Sequence, residues 1–230
     1  MWVSLMQKCI NLKYGQLKNK DVVDSQGQPV GRVVDFIFTV EGTKLQPKYI
    51  VLGGGRVEEF LESIGARPDN DPVFTTQVME SVDEDKIVLC ADHDMLKSTL
   101  DSDVIGENDR KFSEISKIKV IDADNIKVGN VIDVWFADDG EVYLLLGGGF
   151  FEETLERLRA QPNIDLLASH KDIESFGDKE IKLKWTKFQL QSNCEKEYDK
   201  LKRELSSRDK PGDYRFPQLR LGKGPSRGMA

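Results

Sequence analysis

The sequence predicts an all-β-dominated chain in which one small domain occurs twice, each copy with a short helix, followed by a C-terminal helix. The first observation is an internal repeat. Tyr49-Ile50-Val51-Leu52-Gly53-Gly54-Gly55-Arg56-Val57-Glu58-Glu59 returns as Tyr143-Leu144-Leu145-Leu146-Gly147-Gly148-Gly149-Phe150-Phe151-Glu152-Glu153. At an offset of 94, residues 49–71 and 143–165 agree at 12 of 23 positions, where composition alone gives about one. Val30–Phe38 matches Val128–Phe136 at an offset of 98, so the second copy is four residues shorter between the two blocks. The second observation is a series of short apolar runs divided by turn residues, the pattern of a small barrel or sandwich. The third is a polar stretch after residue 191 with an apolar stripe at helical spacing.

The elements follow in order. Asp21–Asp24 reads as a short strand, and Ser25–Gln28 as a turn. Pro29–Val40 reads as a long strand, with Val34, Phe36, Phe38 and Val40 on one face and Val33, Asp35, Ile37 and Thr39 on the other. Glu41-Gly42-Thr43 turns the chain into a strand over Lys48–Leu52. Gly27 corresponds to Asn125, and these two residue types adopt a left-handed backbone most readily. Short helices are expected at Val57–Gly65 and Phe151–Arg159. Each has an acidic pair in its first turn, and Pro68 and Pro162 bar continuation. Further strands are expected at Val73–Thr76, Ile87–Cys90 and Ile181–Trp185. Ser192-Asn193-Cys194-Glu195 has the form of a capping box. Cys194, Tyr198, Leu201 and Leu205 then form a stripe too short for an independent coiled coil, so the helix is expected to dock on the second copy.

These readings divide the chain into an N-terminal extension (1–16), a first repeat (17–100), a polar linker (101–111), a second repeat (112–191), a helix (192–207) and a disordered basic tail (208–230). The formal charge of −7 is uneven: residues 206–230 hold six Lys/Arg against two Asp, +4, which leaves −11 on residues 1–205. An acidic body excludes a general nucleic-acid binder, whose affinity comes from basic contacts to phosphates. Three cysteines, Cys9, Cys90 and Cys194, have no equivalents in the other repeat and read as reduced thiols of a cytoplasmic protein. In the apolar head, Trp2, Leu5, Met6 and Cys9 share one helical face. That suits a short helix packed on the body, or a weak membrane-surface contact.

The run Val23-Asp24-Ser25-Gln26-Gly27-Gln28-Pro29-Val30-Gly31-Arg32-Val33-Val34-Asp35 resembles the opening of the PRC-barrel family. Val120–Asp133 repeats it, with seven residues from Asp to Gly in both copies. The resemblance implies two tandem small PRC-type β barrels used as binding modules. It is nearest to an archaeal group, some members of which are linked to cell division. It carries over no catalytic residue. The function it implies is a non-enzymatic adaptor or scaffold, with cell-division or membrane-tethered proteins as partners. The alternative is a ribosome-associated assembly or RNA-processing factor that binds a ribosomal protein. Homodimerisation stays open.

The chemistry of particular residues leads to no catalytic, cofactor or metal site. The Gly triplets lack the Lys-Ser/Thr of a phosphate loop, and Glu58-Glu59 and Glu152-Glu153 would repel a phosphate. Asp35 and Asp133, mid-strand among hydrophobes, are expected to accept hydrogen bonds from backbone N–H groups of a neighbouring turn. Asp92-His93-Asp94 reads as a surface cluster. Two sets of residues are candidates for protein interaction. Ile37 with Trp135, Arg56 with Phe150 and Val57 with Phe151 are equivalent positions, and the second copy is the more apolar at each. Ile37, Trp135, Phe150 and Phe151 either close the barrel ends or pack on the head and the C-terminal helix, or they form a barrel–barrel or partner interface. In the tail, Tyr214, Phe216, Leu219 and Leu221 form the pattern of a short peptide ligand. Residues 206–230 are too polar and too rich in Gly and Pro to pack a core, so deleting them should leave the melting temperature nearly unchanged.

Overall fold

The computed structural model describes residues 9, 11–54, 57, 61, 72–92, 95–96, 105–158, 164–206 and 218–221. The expected head helix and His93 lie outside these residues, as does most of the helix expected at 57–65. The strands are β1 (Leu12–Lys13), β2 (Asp21–Val23), β3 (Pro29–Glu41), β4 (Lys44–Gly53), β5 (Val73–Thr75), β6 (Met79–Val82), β7 (Lys86–Leu89), β8 (Asp109–Lys111), β9 (Lys119–Ile121), β10 (Lys127–Phe136), β11 (Val142–Gly147), β12 (Asp165–Ala168), β13 (Ile173–Phe176), β14 (Glu180–Leu183) and β15 (Gln218–Arg220). The helices are α1 (Tyr14–Leu17), α2 (Phe112–Ile115), α3 (Gly149–Arg157) and α4 (Lys187–Ser206).

The fold is sheet-dominated, with two sheets, one of them a half-barrel. The first runs β5-β4-β3-β2-β7-β6, and the second runs β13-β14-β9-β10-β11-β12-β15. Without β15, the second order read backwards is the first with each strand replaced by its repeat counterpart. The duplication is therefore present in the strand pairing. In both copies the equivalent pair is parallel, β2 with β7 and β9 with β14. The turn after the first strand is also built twice. Gly27 has φ +80° and Asn125 has φ +63°, the left-handed conformation expected of both.

Two compact units are present: Met1–Ile115 with Trp135–Val142, and Ser116–Val134 with Tyr143–Ala230. In the first unit, the β3–β4 pair carries the core. Phe36, Phe38, Ile50 and Leu52 are fully buried. Ile37, Tyr49 and Val51 form a second cluster, with Val34 and Val73 packed on it. Strict alternation predicts Val34 on the Phe36 face. The structure differs because the register shifts between Val33 and Asp35, and the extra residue re-aims Val34. A second shift falls opposite Pro47, which has no N–H to give to the ladder.

The same unit holds a reciprocal arrangement that the sequence reading missed. β1 pairs with the end of β10, Leu12 opposite Phe136 and Lys13 opposite Trp135. β8 pairs with β3, Phe38 opposite Arg110 and Ile37 opposite Lys111. These pairs interchange under the offset of 98. Residues 109–111, expected in the linker, are thus a strand, and residues 12–16, expected in the extension, are a strand and most of a helical turn that ends at Leu17. Each lead-in strand is followed by a one-turn helix whose third residue caps its own start. Gln16 Oε1 accepts from the Lys13 N–H at 2.8 Å, and Glu114 Oε2 accepts from the Lys111 N–H at 3.1 Å. The rings of Tyr14, Phe36, Phe38, Phe112 and Phe136 meet here, with centroids 4.2–6.4 Å apart in the contacting pairs.

In the second unit the core is Val120, Val128, Leu144, Leu146, Phe151, Leu166, Ile181, Leu183 and Leu190. α3 starts at Gly149, two residues before the expected Phe151, because Gly148 supplies the positive φ (+73°) of the bend itself. α4 starts at Lys187 rather than at 192. The capping box is Thr186–Gln189, not Ser192–Glu195. Thr186 N–H donates to Gln189 Oε1 at 2.9 Å and Gln189 N–H donates to Thr186 Oγ1 at 3.3 Å. Leu190 extends the apolar stripe one turn further back than Cys194, and that earlier turn decides where the helix begins. Leu190, Cys194 and Tyr198 are buried and α4 packs on β15, so the helix docks on its own unit.

Candidate functional site

β15 is the C-terminal segment added as a parallel strand to β12, with Leu166 opposite Leu219 and Leu167 opposite Arg220. Leu221 N–H donates to the Leu167 carbonyl at 2.9 Å and extends the pairing by one residue. Leu219 and Leu221 point to one side and are buried, while the Arg220 guanidinium lies 5.0 Å from the Tyr143 ring centroid. Backbone bonds supply the attachment, and two alternate apolar side chains supply the selectivity. The expectation of a wholly disordered tail from 208 is therefore corrected at 218–221. Three residues with alternating apolar side chains suffice when an edge strand and a helix are already in place. Tyr214 and Phe216 lie outside the described residues.

This placement changes the deletion expectation. Removing residues 207–230 strips β15 from the edge and uncovers the surface against which Leu219 and Leu221 pack. We expect a loss of about 2–3 kcal/mol, because each buried leucine is worth about 1.5–3 kcal/mol before ordering costs. A urea titration of the truncated and full chains measures it. Coincident midpoints would mean that the pairing is too weak to count.

The other interaction candidates are interior residues. Ile37 and Phe151 are fully buried, and Trp135 and Phe150 are 5% and 4% exposed. The Phe150 and Phe151 rings pack at 5.6 Å, with Lys187 Nζ 4.9 Å from the Phe150 centroid. All four side chains are thus packed inside the described fold. The reason lies in the sheet. Asp35–Phe38 of β3 and Val134–Phe136 of β10 are buried on both faces of their strands, whereas Ile132 of β10 is 57% exposed.

The carboxylates are committed to the backbone. Asp122 is fully buried. Its Oδ1 accepts from Asp124 N–H (2.9 Å) and Ile126 N–H (2.8 Å), and its Oδ2 from Lys187 N–H (2.7 Å). One side chain thus closes the turn after β9 and holds the start of α4. Asp24 does the same for the equivalent turn, accepting from Gln26 N–H at 2.9 Å and Gln28 N–H at 2.7 Å. Sequence reasoning misses the role of both aspartates. Their position two and four residues before the accepted N–H groups is the Asx-turn signal that identifies them. Asp35 accepts from Phe36 N–H (2.8 Å), Tyr14 O–H (3.2 Å) and Ser113 N–H (3.3 Å). The last is the expected bond to neighbouring backbone. Asp133 accepts from Val134 N–H at 2.7 Å. Asp92 caps a helical turn, taking Met95 N–H at 2.9 Å, and stands at the position of Thr186 in the other repeat.

Among the described residues, two carboxyl groups have shifted affinities for protons. At Asp109, burial disfavours the charge, but bonds from Lys48 Nζ (2.8 Å), Thr39 Oγ1 (2.6 Å) and Gly106 N–H (2.9 Å) outweigh it. Its pKa lies below the ordinary aspartate value, so its stabilisation is present above that value and is lost as pH falls through the lowered one. Burial pushes Asp172 the other way, against bonds from Ser169 Oγ (2.7 Å) and Ser169 N–H (2.8 Å). Its ionised form costs stability above the raised value, and protonation relieves that cost. Burial also pushes the Cys194 thiol up to about 12, which leaves it without thiolate chemistry at neutral pH.

Among the described residues, no group of three or more His, Cys, Asp or Glu is placed to hold a metal ion. No helix among them is long and apolar enough to cross a membrane. In comparisons with known proteins, the chain matches no family model and no curated protein.

Proposed function

We propose that this chain is a non-enzymatic adaptor whose two β domains, of the PRC-barrel type, recognise other proteins through their sheet edges. The single observation that carries the reading is β15: a short extended peptide is already seated on the β12 edge by backbone pairing and two apolar anchors. Two further features support a PRC-type fold. The strand order recurs in both copies, and the paired aspartates Asp24 and Asp122 organise the same turn at the motif's opening. The setting we infer from the resemblance is cytoplasmic, beside cell-division or membrane-tethered proteins. The adaptor needs no cofactor.

The test is capture of partners on the immobilised full-length chain, followed by reconstitution from purified components. A defined partner that binds the purified chain with fixed stoichiometry is the expected result. Co-sedimentation with ribosomal subunits that falls with salt would transfer the reading to ribosome assembly. Failure to reconstitute any protein complex would overturn the adaptor.

A further inference from the structure

β15 stands outside the duplicated domain. The strands that recur in both copies are β2–β7 and β9–β14, in corresponding order, and β15 is added at the end of the second set. It pairs with β12 over three residues, and the Leu221 N–H extends the pairing to the Leu167 carbonyl. Its sequence limits the ladder on both sides. Pro217, just before it, has no N–H to donate, and Gly222, Gly224 and Pro225, just after it, are poor strand residues. Besides the backbone bonds, the hold consists of buried Leu219 and Leu221 and of the Arg220 guanidinium beside the Tyr143 ring. We propose that β15 is an autoinhibitory segment: it occupies in cis the β12 edge on which the adaptor seats an extended segment of a partner protein, and the partner binds by displacing it. This deepens the adaptor reading and rests on it.

The stability expected to be lost with the tail corresponds to a docked state favoured about 30- to 150-fold over the undocked one. β15 is therefore off the edge in about 1–3% of molecules. The 11 residues between α4 and β15, 207–217, hold the tail at a local concentration on the order of 1 mM. The same segment as a separate peptide then binds the freed edge with a dissociation constant of roughly 10–30 µM. The tail of a second copy carries the same residues and, at micromolar protein, is about a hundredfold or more below that local concentration, so it does not compete. A displacing segment has what the tail lacks: an N–H in place of Pro217 and a strand-forming residue in place of Gly222. It keeps what the seat selects, apolar residues at the positions of Leu219 and Leu221 and a cation between them for Tyr143. The occupant is thus an unbroken extended stretch of apolar-basic-apolar pattern in a different protein. Until it arrives, β15 keeps the apolar seat covered and lowers the apparent affinity for any competitor about 30- to 150-fold.

The experiment uses two full-length chains and three synthetic peptides. One chain is unaltered, and the other carries Leu219→Ser with Leu221→Ser, which keeps the tail from docking. The peptides are the chain's own residues 214–223, the same with Pro217→Thr and Gly222→Thr, and the same with Leu219→Ser and Leu221→Ser. Calorimetric titration should give roughly 10–30 µM for the first peptide on the serine chain, and about 30- to 150-fold weaker binding on the unaltered chain. The threonine peptide should bind the serine chain about threefold tighter or better, and the serine peptide should bind neither chain. Equal affinity of the first peptide for both chains, or no binding to the serine chain, would overturn the proposal. Hydrogen exchange in the unaltered chain reads the undocking whether or not the serine chain folds. The Leu221 amide should be protected only about 30- to 150-fold, far less than the amides of β11. Protection equal to that of β11 would make β15 an integral strand and would also overturn it. A reconstituted partner should bind the serine chain about 30- to 150-fold tighter than the unaltered one. A partner that binds both chains equally keeps the adaptor and removes the autoinhibition. A dimer of the unaltered chain that the two serines disperse would make a second copy the occupant and overturn a different protein. Absence of any reconstituted partner removes both the adaptor and its inhibition.

Discussion

Gly129→Val is expected to lower stability by about 3 kcal/mol and the melting temperature by about 10 °C. A Cβ at Gly129 would stand 2.7 Å from the Gly147 carbonyl oxygen, 2.7 Å from Phe151 Cδ2 and 3.1 Å from the Gly148 carbonyl oxygen. Two of these three neighbours are backbone atoms at the strand-to-helix bend, and the third is a fully buried ring, so none can swing aside. The bend has to open, and α3 moves with it. Gly140→Ala is the control. That residue also has a positive φ (+79°), but a Cβ there meets nothing within 4 Å. It should cost about 1 kcal/mol for the backbone conformation alone. Thermal unfolding followed by circular dichroism reads both variants. Equal losses would show that conformation rather than close approach sets the requirement for glycine.

Asp122→Ala is expected to cost about 3–5 kcal/mol, because it strands three backbone N–H groups around a site with no exposure. Asp122→Asn separates the parts. Its remaining carbonyl oxygen can accept the two turn N–H groups, while its amide nitrogen faces the Lys187 N–H as a second donor. The asparagine variant should therefore retain the turn and loosen the start of α4, with about half the loss. Urea unfolding gives the free energies, and hydrogen exchange at Lys187 and Leu190 locates the damage. Full retention of stability in the alanine variant would show that water replaces the carboxylate.

Much of the architecture is legible in the sequence because the fold is stated twice. The equivalence of Gly27 and Asn125 identifies a left-handed turn that either residue alone would suggest weakly. The offset of 98 also holds further upstream. Lys13-Tyr14 matches Lys111-Phe112, and Leu17 matches Ile115. Followed that far, it marks the lead-in strands and the aromatic cluster. Those strands have no alternation of their own to read, since Leu12-Lys13 and Asp109-Arg110-Lys111 take their register from a distant strand. β15 was hidden for a related reason. Its two anchors sit in a segment rich in Arg, Gly and Pro, and only the neighbouring edge makes them a strand. The burial of Ile37 and Trp135 could not be decided by period, because covering both faces of a strand removes the contrast that period measures.

The pairing of β1 with the far end of β10 fixes an order of events during synthesis. The first unit includes residues 135–142, so it is incomplete when the first copy of the repeat has left the ribosome. The strand that β1 pairs with, at Trp135 and Phe136, emerges more than 120 residues later in the chain. Until then Phe36 and Phe38 lack the Phe136 ring that packs on them. Contacts this distant slow folding and leave apolar surface uncovered in the interim. A ribosome stalled just after the first repeat would hold a protease-sensitive nascent chain, and protection of its β3–β4 hairpin would begin only once residue 142 clears the exit tunnel.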